Sequence, residues 1–88
     1  MTIELHPRFK KSYKSRIAHN AKLVKQTANR IKLFQEDSKT SLIKDHQLTG
    51  DKKEFRAFWV NGDIRIVYKQ QSSEYFIFFD IGSHNQVY

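Results

Sequence analysis

The chain opens on a short alternation of apolar and polar residues and then changes period. Residues 2–6, TIELH, alternate weakly and predict a short strand. Pro7 suits the first turn of a helix, where its missing N–H removes no bond. Phe9, Tyr13 and Ile17 recur at helical spacing, with Lys10, Lys11 and Lys14 mainly on the other side. Asn20 ends this helix or caps the next. Over 21–35, Val24, Ala28 and Ile31 form one stripe with Leu23 and Phe34 beside it, while Lys22, Lys25, Arg30 and Lys32 are left to solvent. The polar interval 36–53 holds one short extended piece near 42–48. After it the period becomes two. EFRAFWV (54–60), DIRIVYK (63–69) and EYFIFFDI (74–81) are rich in aromatic and β-branched residues and predict three strands. Asn61-Gly62 predicts a two-residue type I′ turn, and QQSS (70–73) the second reversal. The order β-α-α-β-β-β describes a single α+β domain over 1–88. Two N-terminal helices pack on one face of a twisted antiparallel sheet, with the first strand free to join as an edge and the other face partly open.

A two-residue turn also assigns faces. It pairs Val60 with Asp63, Phe58 with Arg65 and Arg56 with Val67 on one side. Phe55, Ala57, Trp59, Ile64, Ile66 and Tyr68 share the other side, which is nearly all apolar and is expected to face the helices. Arg56, Arg65 and Lys69 then point outward. Arg65 lies in the middle of a central strand, an expensive place for a cation. It is either paired in a salt bridge, with Asp63 or Asp80 for example, or kept to meet an anion. Guanidinium matches phosphate oxygens well.

Composition narrows the classes. The 88 residues carry sixteen Lys and Arg against nine Asp and Glu, a formal net charge of +7, and no cysteine. A basic surface favours polyanions, nucleic acid first, because neutralised phosphates release counterions. Without cysteine there is neither a disulfide nor a thiolate zinc site, in keeping with a reducing cytoplasm. No stretch is long and apolar enough to cross a bilayer, no secretory signal is expected, and no membrane partner is foreseen. Of the four histidines, His6 and His19 flank the first helix and read as surface or capping residues. His46 precedes a basic loop and His84 follows the last strand, positions suited to proton transfer. No two histidines stand at metal-ligand spacing, so no metal is expected.

KDHQLTGDKKEFRAFWVNGDIRIVYK followed by FFDIGSHNQVY resembles the RelE/ParE superfamily of small bacterial toxins, nearest to its YafQ-like and RelE-like mRNA interferases. The resemblance is strongest over 44–88 and rests on DHxLxG, GDxRIVY and IGSHxxVY taken in order. It implies two helices on a twisted antiparallel sheet and a ribosome-dependent endoribonuclease acting on mRNA in the ribosomal A site, against rRNA. A cognate antitoxin protein would neutralise it, and operator DNA would be met only through the antitoxin complex. The implied chemistry is attack of a ribose 2′-OH on the adjacent phosphate without metal or cofactor. On this resemblance His84 is the leading acid/base and His46 its complement. Arg65 stabilises phosphate charge, and Tyr88 stacks on a base or orients the 2′-OH. Asp63 orients a histidine or Arg65, while Lys52, Lys53, Arg56 and Lys69 hold RNA backbone. Two positions depart from the relatives: a further catalytic histidine reads Trp59 here, and an arginine before the glycine reads Asp80. Two other readings remain, a ParE-like DNA gyrase inhibitor and a catalytically degenerate basic module that binds its antitoxin.

Overall fold

The computed structural model describes residues 1–88. Its elements are β1 (Thr2–Leu5), α1 (Pro7–Arg16), α2 (Ala21–Glu36), β2 (His46–Gln47), β3 (Arg56–Trp59), β4 (Ile64–Ser72), β5 (Tyr75–Ser83) and α3 (His84–Val87), with 3₁₀ turns at Ser41–Ile43 and Gly50–Lys52. Pro7 opens α1 behind His6, whose Nδ1 accepts from the Arg8 amide at 3.0 Å. Asn20 caps α2 by accepting from the Leu23 amide at 3.1 Å. Both starts follow the capping logic of orphan amides at a helix N-terminus. No helix is long and apolar enough to cross a membrane.

The five strands run in the order β1-β5-β4-β3-β2. All neighbours are antiparallel except β1 and β5, which are parallel from Thr2↔Tyr75 to Leu5↔Phe78. The sheet is therefore mixed, not purely antiparallel. Alternation along a strand carries no sign of its direction, and the long connection from β1 to β5 places no hairpin constraint on it.

One face of the sheet carries the main core. Phe34 of α2 stacks on Phe58 with centroids 4.9 Å apart and meets Tyr68, Phe76 and Phe78 edge-on at 5.0, 5.2 and 5.6 Å. Such geometries add to what burial alone supplies. Phe9, Ile17, Ile43, Val60, Ile64, Ile66 and Ile81 complete this cluster.

The β3–β4 register differs by one residue from the expected one. Arg56 pairs with Tyr68, Ala57 with Val67, Phe58 with Ile66 and Trp59 with Arg65. Neither Asn61 nor Gly62 has positive φ, so the turn is not type I′. Instead the Asn61 carboxamide oxygen accepts from the amides of Asp63 (2.8 Å) and Ile64 (2.7 Å), and Val60 N–H closes onto Ile64 O at 2.9 Å. An Asn side chain capping its own turn has lengthened the loop, and a one-residue slip inverts a strand. Phe58 and Val60 accordingly join Ile64, Ile66 and Tyr68 in the core, while Phe55, Ala57 and Trp59 move to the opposite face, beside Arg65 and Val67.

The last strand also runs further than its hydrophobic run suggests. β5 continues through Gly82 to Ser83, so the chain does not turn at Gly82. It reverses into α3 through a capping box between Ser83 and Gln86.

Candidate functional site

Pairing fixes two rows on the face away from α2. His46, Ala57, Val67 and Asp80 lie across the sheet in one row, and Trp59, Arg65 and Gly82 in the next. Over them α3 folds back. Val87 packs on Leu48, Ala57 and Val67, with Phe55 and Tyr88 at the margin. Lys52 Nζ donates to the main-chain oxygens of Val87 (3.1 Å) and Tyr88 (3.0 Å), holding this segment down. Lys52 thus tethers the end of the chain with two of its three ammonium N–H groups.

Arg65 is 7% exposed and makes no salt bridge; neither Asp63 nor Asp80 pairs with it. Its guanidinium lies 3.9 Å from the centroid of the Trp59 ring and donates to Asn61 O at 2.9 Å. Trp59 also meets Lys44 Nζ at 5.1 Å. A cation over an indole face is favourable. The side chain is thereby held without an anion that would cancel its charge. Burial pushes the Tyr88 phenol above its ordinary range, and the nearby charge of Arg65 opposes this.

Tyr88 is also where the two histidines meet. His84 precedes it by one helical turn, ring centroids 4.4 Å apart and edge-on. His46 Nε2 lies 3.3 Å from the Tyr88 hydroxyl, and His46 Nδ1 lies 2.9 Å from Lys44 O. A carbonyl only accepts, so neutral His46 carries its proton on Nδ1 and offers Nε2 as an acceptor to the Tyr88 hydroxyl. Lys44 is the one non-glycine residue with positive φ, 52°, which aims that carbonyl at the ring. A left-handed lysine carries a local cost that the surrounding structure must sustain. The next residue does this. Asp45, nearly buried, accepts from Arg56 Nη2 at 3.0 Å and Nε at 3.2 Å and from the Tyr68 hydroxyl at 2.7 Å. This cluster holds the Arg56 guanidinium proton more tightly through Asp45, and burial followed by the same hydrogen bond raises the Tyr68 phenol. A groove of about 360 Å³ opens beside His46 and Tyr88, walled by Leu48, Thr49 and Lys52.

Among the residues expected here, His46, His84, Arg65 and Tyr88 come together. Four others stand differently. Arg56 faces the helix side, committed to Asp45, because of the register shift. Asp63 sits exposed in the turn with no partner for its carboxylate, so it orients neither Arg65 nor a histidine; Asn61 O takes that place on Arg65. Lys69 lies 3.8 Å from Glu54, and Lys53 is exposed at the end of the second 3₁₀ turn. Sequence reasoning placed Trp59 in the core and missed Lys44 and Asp45. The strand slip explains the first. For the other two, the signal was the Asp directly before His46, but its partners are set by register alone. No three His, Cys, Asp or Glu side chains gather at metal-ligand distance.

A family model described as "Bacterial toxin of type II toxin-antitoxin system, YafQ" matches residues 1–88. Comparison with curated proteins gives no match. Solved structures share the fold. A chain of the E. coli DinJ-YafQ complex is 22% identical with a TM-score of 0.79, covering 98% of this chain and 96% of that one. A metal-bound toxin from Helicobacter pylori is 27% identical with a TM-score of 0.79, covering 100% and 99%. A YoeB/ParE toxin from Agrobacterium tumefaciens is 18% identical with a TM-score of 0.79, covering 96% and 99%.

Proposed function

Because the chain belongs to the YafQ family of type II toxins, we propose that it is a ribosome-dependent endoribonuclease that cuts mRNA in the A site, with a cognate antitoxin as its protein partner. The antitoxin follows from the DinJ-YafQ complexes of its structural relatives. The observation that carries the catalytic reading is the convergence on Tyr88: two histidines meet one phenol, close enough to an uncompensated arginine to feel its charge.

Cleavage of an RNA strand through its own 2′-OH requires a base, an acid and positive charge at the phosphorane. The Lys44 carbonyl selects the neutral tautomer of His46 with its proton on Nδ1 and the Nε2 lone pair toward Tyr88, which suits a base for the 2′-OH. His84, exposed at the start of α3, then protonates the leaving 5′-oxygen. Arg65 faces the developing charge on the phosphate oxygens, and its support by Trp59 and Asn61 O leaves that charge available. Tyr88 positions the ribose or base between the histidines. Lys53, exposed beside Gln47, contacts backbone phosphate, and Lys69 does so by exchanging its loose surface pairing with Glu54. Each step is supplied by a side chain of this chain.

Toeprinting of a translated mRNA with and without the protein tests this reading. The expected result is a new stop at an A-site codon that requires ribosomes and is lost in His84→Ala and Arg65→Ala. Growth arrest that persists unchanged in both variants overturns the mechanism.

A further inference from the structure

The Arg16 side chain leaves α1 and arrives on the site face of the sheet. Arg8, Ser12 and Arg16 are spaced i, i+4, i+8 and share one side of α1. That helix runs beside the part of β5 that β1 does not cover, since β1 pairs only as far as Phe78. There Arg16 Nη1 donates to Ile81 O at 3.0 Å and approaches Asp80 Oδ1 at 3.4 Å. Asp80 is 3% exposed. It also takes Arg8 Nε at 3.2 Å and the Ile81 amide at 2.9 Å.

The next residue, Gly82, shows why the arginine fits. A Cβ at Gly82 would stand 2.7 Å from Arg16 Nη1 and 2.7 Å from Gln86 Oε1. The guanidinium therefore crosses the space that a side chain at 82 would fill. Gly82 is the direct partner of Arg65 across β4 and β5, so this space is on the Arg65 face. Arg16 keeps Nε and Nη2 without a partner in the protein, and its side chain is 29% exposed. One carboxylate, Asp80, is shared by two guanidinium groups, so the cluster stays cationic.

We propose that Arg16 is a second guanidinium of the RNA site, binding a non-bridging oxygen of the phosphodiester next to the one Arg65 meets, with Asp80 as the positioning residue that fixes it. This rests on the ribonuclease reading above. The free Nε–Hε and Nη2–H edge is the edge that takes a phosphate in two parallel bonds. Gly82 is the residue that lets it through, and Asp80 sits at the site not as a misplaced charge but as the anchor of a cation from another element.

The test uses the full chain and an oligoribonucleotide carrying 2′-O-methyl groups, which cannot be cut by this chemistry. In an NMR titration the Nε–Hε signals of Arg16 and Arg65 should shift together and saturate at the same concentration. Movement of Arg65 with Arg16 unmoved overturns this proposal alone. If neither moves, even on ribosomes programmed with the same RNA, the ribonuclease reading falls and takes the proposal with it. In single-turnover cleavage Arg16→Ala should lose about 10²-fold in rate, as for removal of one preorganised donor. Arg16→Lys, which cannot make the paired contact, should recover only part of it. Asp80→Asn, which loosens Arg16 without removing it, should raise the concentration for half-saturation and have no further effect in the Arg16→Ala background. Full activity of Arg16→Ala, or full rescue by lysine, overturns the assignment of a bidentate contact.

Discussion

The two faces of the sheet are filled in different ways. On the helix face twelve residues form one cluster around Phe34, with rings meeting at stacked and edge-on distances. On the other face only Leu48, Ala57, Val67 and Val87 are buried together, and around them stand half-buried Phe55, Phe79 and Tyr88 with Arg65, Trp59, Asp80 and the two site histidines. On the first face each ring has several ring neighbours, and these contacts hold the helices to the sheet. The second is a platform with a four-residue apolar footing. It is large enough to seat α3 and small enough to leave polar groups unfilled by packing. Stability and chemistry are thus separated by the thickness of one β-sheet.

The largest effect should come from Phe34→Ala. Removing a buried phenylalanine costs about 3–5 kcal/mol, a large share of the roughly 5–15 kcal/mol available to a domain. Urea unfolding measures it, and a loss no larger than that of Val87→Ala would erase the distinction between the faces. Next is Arg65→Ala, expected to reduce ribosome-dependent cleavage by about 10²–10³-fold while the urea midpoint moves little. A collapse of the fold in this variant would make Arg65 part of the core. Val87→Ala should cost only about 1.5 kcal/mol, at about 0.8 kcal/mol per methylene. It should nonetheless slow cleavage, because Tyr88 and His84 ride on the same segment. Unchanged cleavage would show that the footing does not hold the site. The smallest effect is absent at neutral pH. The native state holds the Tyr68 and Tyr88 protons more tightly than the unfolded chain, whose phenols titrate near 10.0. Stability should therefore be level below about pH 10 and fall above it as the unfolded state releases its protons first. Thermal unfolding between pH 9 and 11 would reveal this, and Tyr68→Phe should flatten part of the fall. A rise in stability over that range contradicts the burial of both phenols.

Much of the helix face was legible in the sequence. Phe9, Ile17 and Phe34 announced themselves by helical spacing, and Ile64, Ile66 and Tyr68 by alternation. The β3 half was not, because its inside and outside depend on the loop at 60–63. Asn61-Gly62 reads as a two-residue turn until the Asn61 side chain is seen to take two amides for itself. The site suffered in proportion. His46, His84 and Arg65 could be listed, since each stands at the end or centre of an expected extended segment, while Tyr88 is singled out only by the family resemblance. Trp59, Lys44 and Asp45 could not, since their places follow from the register. The final helix was legible after all: Ser83-His84-Asn85-Gln86 is the S-x-x-Q signature of a capping box, and it marks where β5 stops. Arg16 left no trace in any local pattern, because what it reaches lies 64 residues along the chain.

Trp59 gives the molecule an optical handle. It is the chain's one tryptophan, and it lies against Arg65 and Lys44 instead of among the phenylalanines. Its emission therefore monitors the platform, while far-ultraviolet circular dichroism monitors the sheet and helices. A solution in which the first signal changes before the second contains molecules that have lost their working face and kept their fold.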